Sequence, residues 1–192
     1  EDILESIAVL DEPYADPSIV PSYILSREIA KYFKVAISGD GGDELLGGYS
    51  RTFLTLRPKN ILKALISNFY HLYPGFLGTG SFFLSKSRNN QTSYSSTLAD
   101  EKLINLLKRK TVNFYNNVTL EKNIDTYKSL LINDYKFFLA EQMLFKVDRT
   151  SMANSLEVRS PFLDHYLIEY IMSHNSSYLN INQSKKILKD LL

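Results

Sequence analysis

The chain has 192 residues, 44% of them hydrophobic and 22% charged, and its 22 Lys and Arg against 21 Asp and Glu leave a net charge of +1. That balance gives no electrostatic argument for nucleic acid or an acidic membrane surface, and a chain of this size suits one domain or part of a larger one. Cysteine is absent, which removes disulfides, thiol catalysis and thiolate metal sites from this segment. No apolar run reaches the roughly 18 residues a membrane helix needs, and the acidic start does not read as a signal or transit peptide.

In chain order, Ile3 to Leu10 reads as the end of a helix closed by the turn at Asp11-Glu12-Pro13. Pro17 keeps Asp16 out of the helical region. Ser22 to Phe33 carries apolar or aromatic residues at 23, 24, 25, 29, 30, 32 and 33, which predicts a helix with a broad buried face. Lys34 to Ser38 is short, β-branched and followed at once by glycine, so a buried strand is expected there. Asp43 is placed to N-cap a helix beginning around Glu44. Helical patterns follow at Asn60 to Tyr73 and Asp100 to Lys110, with a Gly-, Ser- and Asn-rich loop or irregular insertion at Pro74 to Thr97 between them. From Ile124 a long helix is predicted, with Leu131, Tyr135, Phe138, Leu139 and Phe145 facing the core and its end near Ser155. A last helical pattern covers Lys186 to Leu192.

Five of the eight glycines fall between Gly39 and Gly48, in the run Ser38-Gly39-Asp40-Gly41-Gly42-Asp43-Glu44-Leu45-Leu46-Gly47-Gly48-Tyr49. A strand leading through such a turn into a helix offers backbone N–H groups to an anion, and glycine lets a ligand approach closely. Asp40, Asp43 and Glu44 work against a bare phosphate, because two like charges about 4 Å apart cost roughly 4 kcal/mol at an effective dielectric of about 20. A divalent cation shared between carboxylate and phosphate removes the conflict. A Mg²⁺-nucleotide site is therefore one reading, and a surface turn with a capping aspartate is the other. There is no Lys-Ser/Thr pair for a Walker-type loop, and the aspartate spacing misses the EF-hand pattern.

The same run resembles the SGDGGDE(L/V)FGGY motif of class B asparagine synthetases. Asp11-Glu12-Pro13-Tyr14-Ala15-Asp16-Pro17-Ser18 resembles the DEPFADPS segment of that family, and residues 146–164 resemble KVDRASMAHSLEVRVPFLD. Ser184 to Lys189 is similar to its (T/S)K-x-(I/L)LR helix. Four matches in the family's order identify the chain as a member, while residues 52–124 carry little of the likeness.

The resemblance implies an incomplete, helix-rich α/β domain with the PP-loop ATP pyrophosphatase (adenine nucleotide alpha hydrolase-like) fold. It implies ATP-dependent amidation of aspartate through β-aspartyl-AMP, with ammonia from glutamine, and ATP and Mg²⁺ as cofactors. By position Ser38, Gly39, Gly41 and Gly42 would border ATP, Asp40 would be the catalytic acid and Asp43 would hold Mg²⁺. Asp16 and Ser18 would line the substrate end. The SGGxDS loop, a glutamine amidotransferase domain and a C-terminal K(K/Q)GF lysine belong to the family pattern and lie outside these residues. The expectation is that the 192 residues hold one wall of the site and are inactive alone.

A paralogue acting on another carboxylate (β-lactam synthetase-like or polysaccharide-modifying) is the near alternative, although those β-lactam relatives carry Tyr where this chain has Asp40. A non-catalytic interaction domain is the distant one. Partners are expected to be small molecules, without nucleic acid or membrane, in the cytoplasm, and a homodimer of the longer protein is compatible with the likeness.

Lys146, Asp148, Arg149, Glu157 and Arg159 are read first as a buried ion-pair network around the helix exit and the Pro161 turn, with a nucleotide-facing Lys146 or Asp148 as the competing role. Glu141 falls on the face of Asp148 if the helix keeps 3.6 residues per turn, where a catalytic carboxylate partner is one reading and solvent exposure is the expected state. His71, His165 and His174 have no metal-ligand spacing and read as surface or cap residues.

Overall fold

A computed structural model describes residues 2–12, 14, 16–57, 61, 65, 69, 72, 87, 89–95, 124–174 and 185–192. The chain divides into two compact units, one made of residues 1–45 and 134–174, the other of residues 46–133 and 175–192. The helices predicted at 60–73 and 100–110 lie outside the described residues or are described only at isolated positions, as does much of the 74–97 insertion.

In the first unit, α1 (Asp2–Ala8) packs on α2 (Ile19–Ala30), where Arg27 reaches Asp2 at 2.8 Å and Glu5 at 3.4 Å. Strand β1 (Val35–Ile37) is followed by the short helix α3 (Gly42–Leu46), whose last residue begins the second unit. After the return of the chain come a π-helix (Asp134–Met143), helix α7 (Leu144–Met152), strand β2 (Glu157–Arg159), a 3₁₀ turn (Pro161–Leu163) and α8 (His165–Ser173). β1 and β2 pair in parallel, with Val35 opposite Glu157 and Ile37 opposite Arg159. Ile19, Leu45, Leu139 and Leu156 are the fully buried apolar residues described in this unit.

The second unit holds α4 (Ser50–Leu56), α5 (Asn90–Ser95), α6 (Thr126–Asn133) and α9 (Lys186–Asp190). α4 packs against α5 and α6. Tyr127, Leu130 and Leu131 recur at i, i+3 and i+4, so one face of α6 is buried, and Tyr94 of α5 is buried too. Each such side chain contributes about 1.5–3 kcal/mol by leaving water.

Four expectations are corrected. β1 is not buried: Ile37 is 78% exposed and Val35 44%, because among the described residues β1 has one strand neighbour and that side-chain face is uncovered. The face of α2 is also less buried than its pattern predicts, since Leu25 lies exposed on it while Ile19 and Ser26 are its buried positions. Asp43 sits inside the first turn of α3, which begins at Gly42, and so is not its cap. The long helix after Ile124 changes to π geometry over ten residues. Its i→i+5 bonding puts more residues in each turn, so the 3.6-residue argument aligning Glu141 with Asp148 does not apply. Both residues are exposed.

The chain also forms a strand that the periodicity did not announce. Glu157-Val158-Arg159 has one apolar residue between two charges, and pairing with β1 makes it a strand. Among the described residues no helix is long and apolar enough to cross a membrane.

Candidate functional site

The site begins where the two parallel strands end. Ser38 follows β1, and its backbone N–H donates to the carbonyl of Arg159 at 2.9 Å. Ser38 Oγ then donates to Asp40 Oδ2 at 2.7 Å and is in hydrogen-bond contact with Ser160 Oγ, at the end of β2. Ligands of parallel α/β sheets bind outside the carboxyl ends of the strands, and Ser38, Asp40 and Ser160 all stand there.

The glycines of the turn differ in what surrounds them. Gly41 has φ +86°, and a Cβ there would come 2.6 Å from Leu163 Cδ2. A Cβ on Gly42 would touch Phe162 at 3.4 Å. These two glycines let the turn pack on the 3₁₀ segment. Gly39 is different, because a Cβ there would meet nothing within 4 Å. Asp43 is half-buried in the first turn of α3 and Glu44 is buried behind it.

A second cluster joins the other two motif segments. Lys146 Nζ donates to Asp16 Oδ2 at 3.0 Å and to Ser18 Oγ at 2.7 Å. Asp16 Oδ1 also accepts the backbone N–H of Ser18 at 2.9 Å. Burial raises the Asp16 pKa, but the bonds from Ser18 and then Lys146 outweigh it, and the carboxyl is held below its usual range. Ser18 precedes α2 yet makes no side-chain cap, since its hydroxyl serves Lys146.

Around this pair, Asp11 and Tyr14 grip one side of the helix at its π-to-α junction. Tyr14 Oη donates to the Gln142 carbonyl at 2.7 Å, and the Tyr14 ring lies 5.8 Å from that of Phe145. Asp11 reaches Arg149 at 2.6 Å. Positions 142, 145, 146 and 149 thus hold Asp11, Tyr14, Asp16 and Ser18, which brings the two motif segments together.

The structure brings Ser38 together with Asp40, and Asp16 together with Ser18. The ion-pair reading holds for Lys146, which is buried and paired, and Arg149 is half-buried and paired with Asp11, but the other three residues of the expected network are exposed. Glu157 and Arg159 are exposed and pair with each other at 2.8 Å, and Asp148 is exposed. His165 starts α8 at the surface, and His174 ends that helix with Nδ1 2.7 Å from the Tyr170 carbonyl, both as expected of surface and cap residues. His71 lies outside the described residues.

Sequence reasoning missed Ser160, because the strand that delivers it was not recognised. It also missed Tyr127 of the second unit. That buried phenol stands where a Cβ on Gly47 (φ +66°) would overlap its hydroxyl, and among the described residues its Oη has no hydrogen-bond partner. Burial, with a contribution from the Asp125 charge, pushes its pKa up to about 12.

The asparagine synthase family model matches residues 1–192. A Mycobacterium bovis protein with the provisional name asparagine synthetase (glutamine-hydrolysing) is 34% identical over 178 residues, covering 83% of this chain and 27% of its own length. The Bacillus subtilis glutamine-hydrolysing asparagine synthetase 1 is 31% identical over 176 residues, covering 83% of this chain and 28% of its own length. The chain therefore spans about a quarter of the length of these relatives. No solved structure matches it significantly. The family match over the full chain agrees with the strand-end turn and the docked Asp11 to Ser18 segment: the chain belongs to the asparagine synthase family.

Proposed function

We propose that the protein carrying this chain makes asparagine from aspartate, ATP and ammonia released from glutamine, and that the first unit supplies one wall of its PP-loop-type adenylating site. An aspartate side-chain oxygen attacks the α-phosphorus of ATP and pyrophosphate leaves. Ammonia then attacks the acyl carbon of β-aspartyl-AMP and AMP leaves. The single observation that carries this reading is the strand-end turn, where Gly39 faces open space beside Ser38 and Asp40.

In this reading Ser38 and Gly39 border the nucleotide, and Gly41 and Gly42 hold the turn in shape. Asp40 stands beside the reacting acyl group, and Asp16 and Ser18, fixed by Lys146, border the aspartate end. Among the described residues no three His, Cys, Asp or Glu side chains converge on one point. The carboxylates of the turn therefore fit a cation shared with phosphate oxygens, as Mg²⁺ is usually held, rather than an all-protein cage. Asp43 is the residue to hold it, and the ion would neutralise phosphate charge. The glutamine-hydrolysing domain and the cytoplasmic setting are part of the same proposal, and the 192 residues alone are expected to make no asparagine.

The test is substitution of individual glycines in the intact protein, with AMP, pyrophosphate and asparagine as readouts. Gly39→Ala has room and no positive φ to strain, so stability should move by less than about 0.5 kcal/mol. ATP affinity should nevertheless fall by about tenfold or more, because the methyl occupies the approach to the backbone. Gly41→Ala should instead destabilise by about 1–3 kcal/mol through its contact with Leu163. Unchanged ATP affinity in Gly39→Ala, or wild-type protein that releases no AMP with aspartate, would count against the proposal.

A further inference from the structure

We infer that Ser160 is a positioning residue of the aspartate-activating site, ordering Ser38 and through it the Asp40 carboxylate. The inference rests on the reading of Asp40 given above. Ser38 has one hydroxyl hydrogen. With that hydrogen donated to Asp40 Oδ2 at 2.7 Å, the contact between the two serine hydroxyls leaves Ser160 as the donor. The result is a directed chain, Ser160 to Ser38 to Asp40.

Both serines stand on backbone that is itself fixed. Ser38 N–H is bonded to the Arg159 carbonyl, and Leu163 N–H to the Ser160 carbonyl at 3.0 Å. Ser160 therefore sits between the register of the β1–β2 pair and the 3₁₀ turn that packs on Gly41 and Gly42. Its side chain links the end of β2 to the turn through a hydroxyl. Without that donor Ser38 has other staggered positions available and Asp40 loses a fixed partner.

The experiment uses the intact protein with Ser160→Val, Ser160→Ala and Ser160→Thr. Ser160→Val and Ser160→Ala should lower kcat for asparagine formation by about tenfold or more while the KM for ATP stays within about twofold, since misplacing one reacting group acts on the chemical step. Ser160→Thr keeps the hydroxyl and should restore most of kcat. A thermal double-mutant cycle of Ser38→Ala with Ser160→Ala should be non-additive.

Additive shifts in Tm, or a Ser160→Val enzyme with wild-type kcat, overturn the inference while leaving the synthetase reading intact. Loss of activity in all three variants also overturns it, because a role of packing alone predicts no rescue by threonine. Wild-type protein without aspartate-dependent AMP release overturns the synthetase reading first and this role with it.

Discussion

Replacing Asp16 with alanine should be far more damaging than replacing its partner Lys146 with methionine. The side chain of Lys146 is 10% exposed and that of Asp16 is 29% exposed. In Asp16→Ala the ammonium stays buried with the Ser18 hydroxyl as its remaining oxygen partner. Stranding one charge of a buried pair costs about 3–5 kcal/mol, and water access at Asp16 points to the lower end, about 3 kcal/mol. In Lys146→Met the apolar stem fills the same space and no charge is stranded in the interior. Asp16 keeps the Ser18 N–H and its contact with water, so the loss should be about 1 kcal/mol.

The double variant should cost about 1–2 kcal/mol rather than the sum of about 4, a coupling of about 2–3 kcal/mol. Urea denaturation of the four proteins at pH 7 measures it. The pH dependence supplies an independent check. The folded Asp16 carboxyl is held below its usual range, so its contribution is fully present above the unfolded value of about 3.9 and is lost as pH falls through the folded one. Below about pH 4 the wild-type protein should therefore lose stability faster than Asp16→Asn. Additive single costs, or equal acid sensitivity of the two proteins, would refute the argument that this pair fixes the Asp11 to Ser18 segment.

Tyr127→Phe removes a buried hydroxyl that has no partner among the described residues and should stabilise the protein by about 1 kcal/mol, read as a rise in Tm. The Tyr127 pKa is about 12 in the folded protein, so the wild type should lose stability relative to Tyr127→Phe between about pH 10 and 12, as the unfolded phenol ionises first. Asp164 caps α8 by accepting the Leu167 N–H at 3.1 Å. Asp164→Ala should cost about 1 kcal/mol by urea denaturation, and Asp164→Asn much less.

Much of the first unit was legible in the sequence because its signals are local. The β-branched run before a glycine marks β1, and the helical spacing read from Ser22 to Phe33 marks α2, which runs from Ile19 to Ala30. What could not be read is what depends on partners distant in sequence. β2 has three residues, two of them charged, and becomes a strand through its bonds to β1. The exposure of Ile37 depends on what covers the sheet, which the strand's own composition does not encode. The π geometry of Asp134–Met143 escapes periodicity arguments for a similar reason, since its apolar residues suit 3.6-residue spacing well enough to hide the change.

The glycine cluster shows how one sequence signal can have several physical causes. Between residues 39 and 48 the glycines look like a single ligand loop, and the ligand argument depends on their number. Their surroundings divide them. Gly41 is needed where the turn meets Leu163, and Gly47 where the chain turns over Tyr127 in the second unit, while a Cβ on Gly42 would make ordinary contact with Phe162. Packing would require glycine at Gly41 and Gly47 in a protein that bound nothing. Gly39 has neither a positive φ nor a neighbour to avoid, so packing gives no reason for glycine there. The case for a ligand therefore rests most firmly on Gly39 and the hydroxyl and carboxylate beside it. That is a narrower base than the full motif, and a more testable one, because Gly39→Ala separates ligand approach from folding where Gly41→Ala and Gly47→Ala cannot.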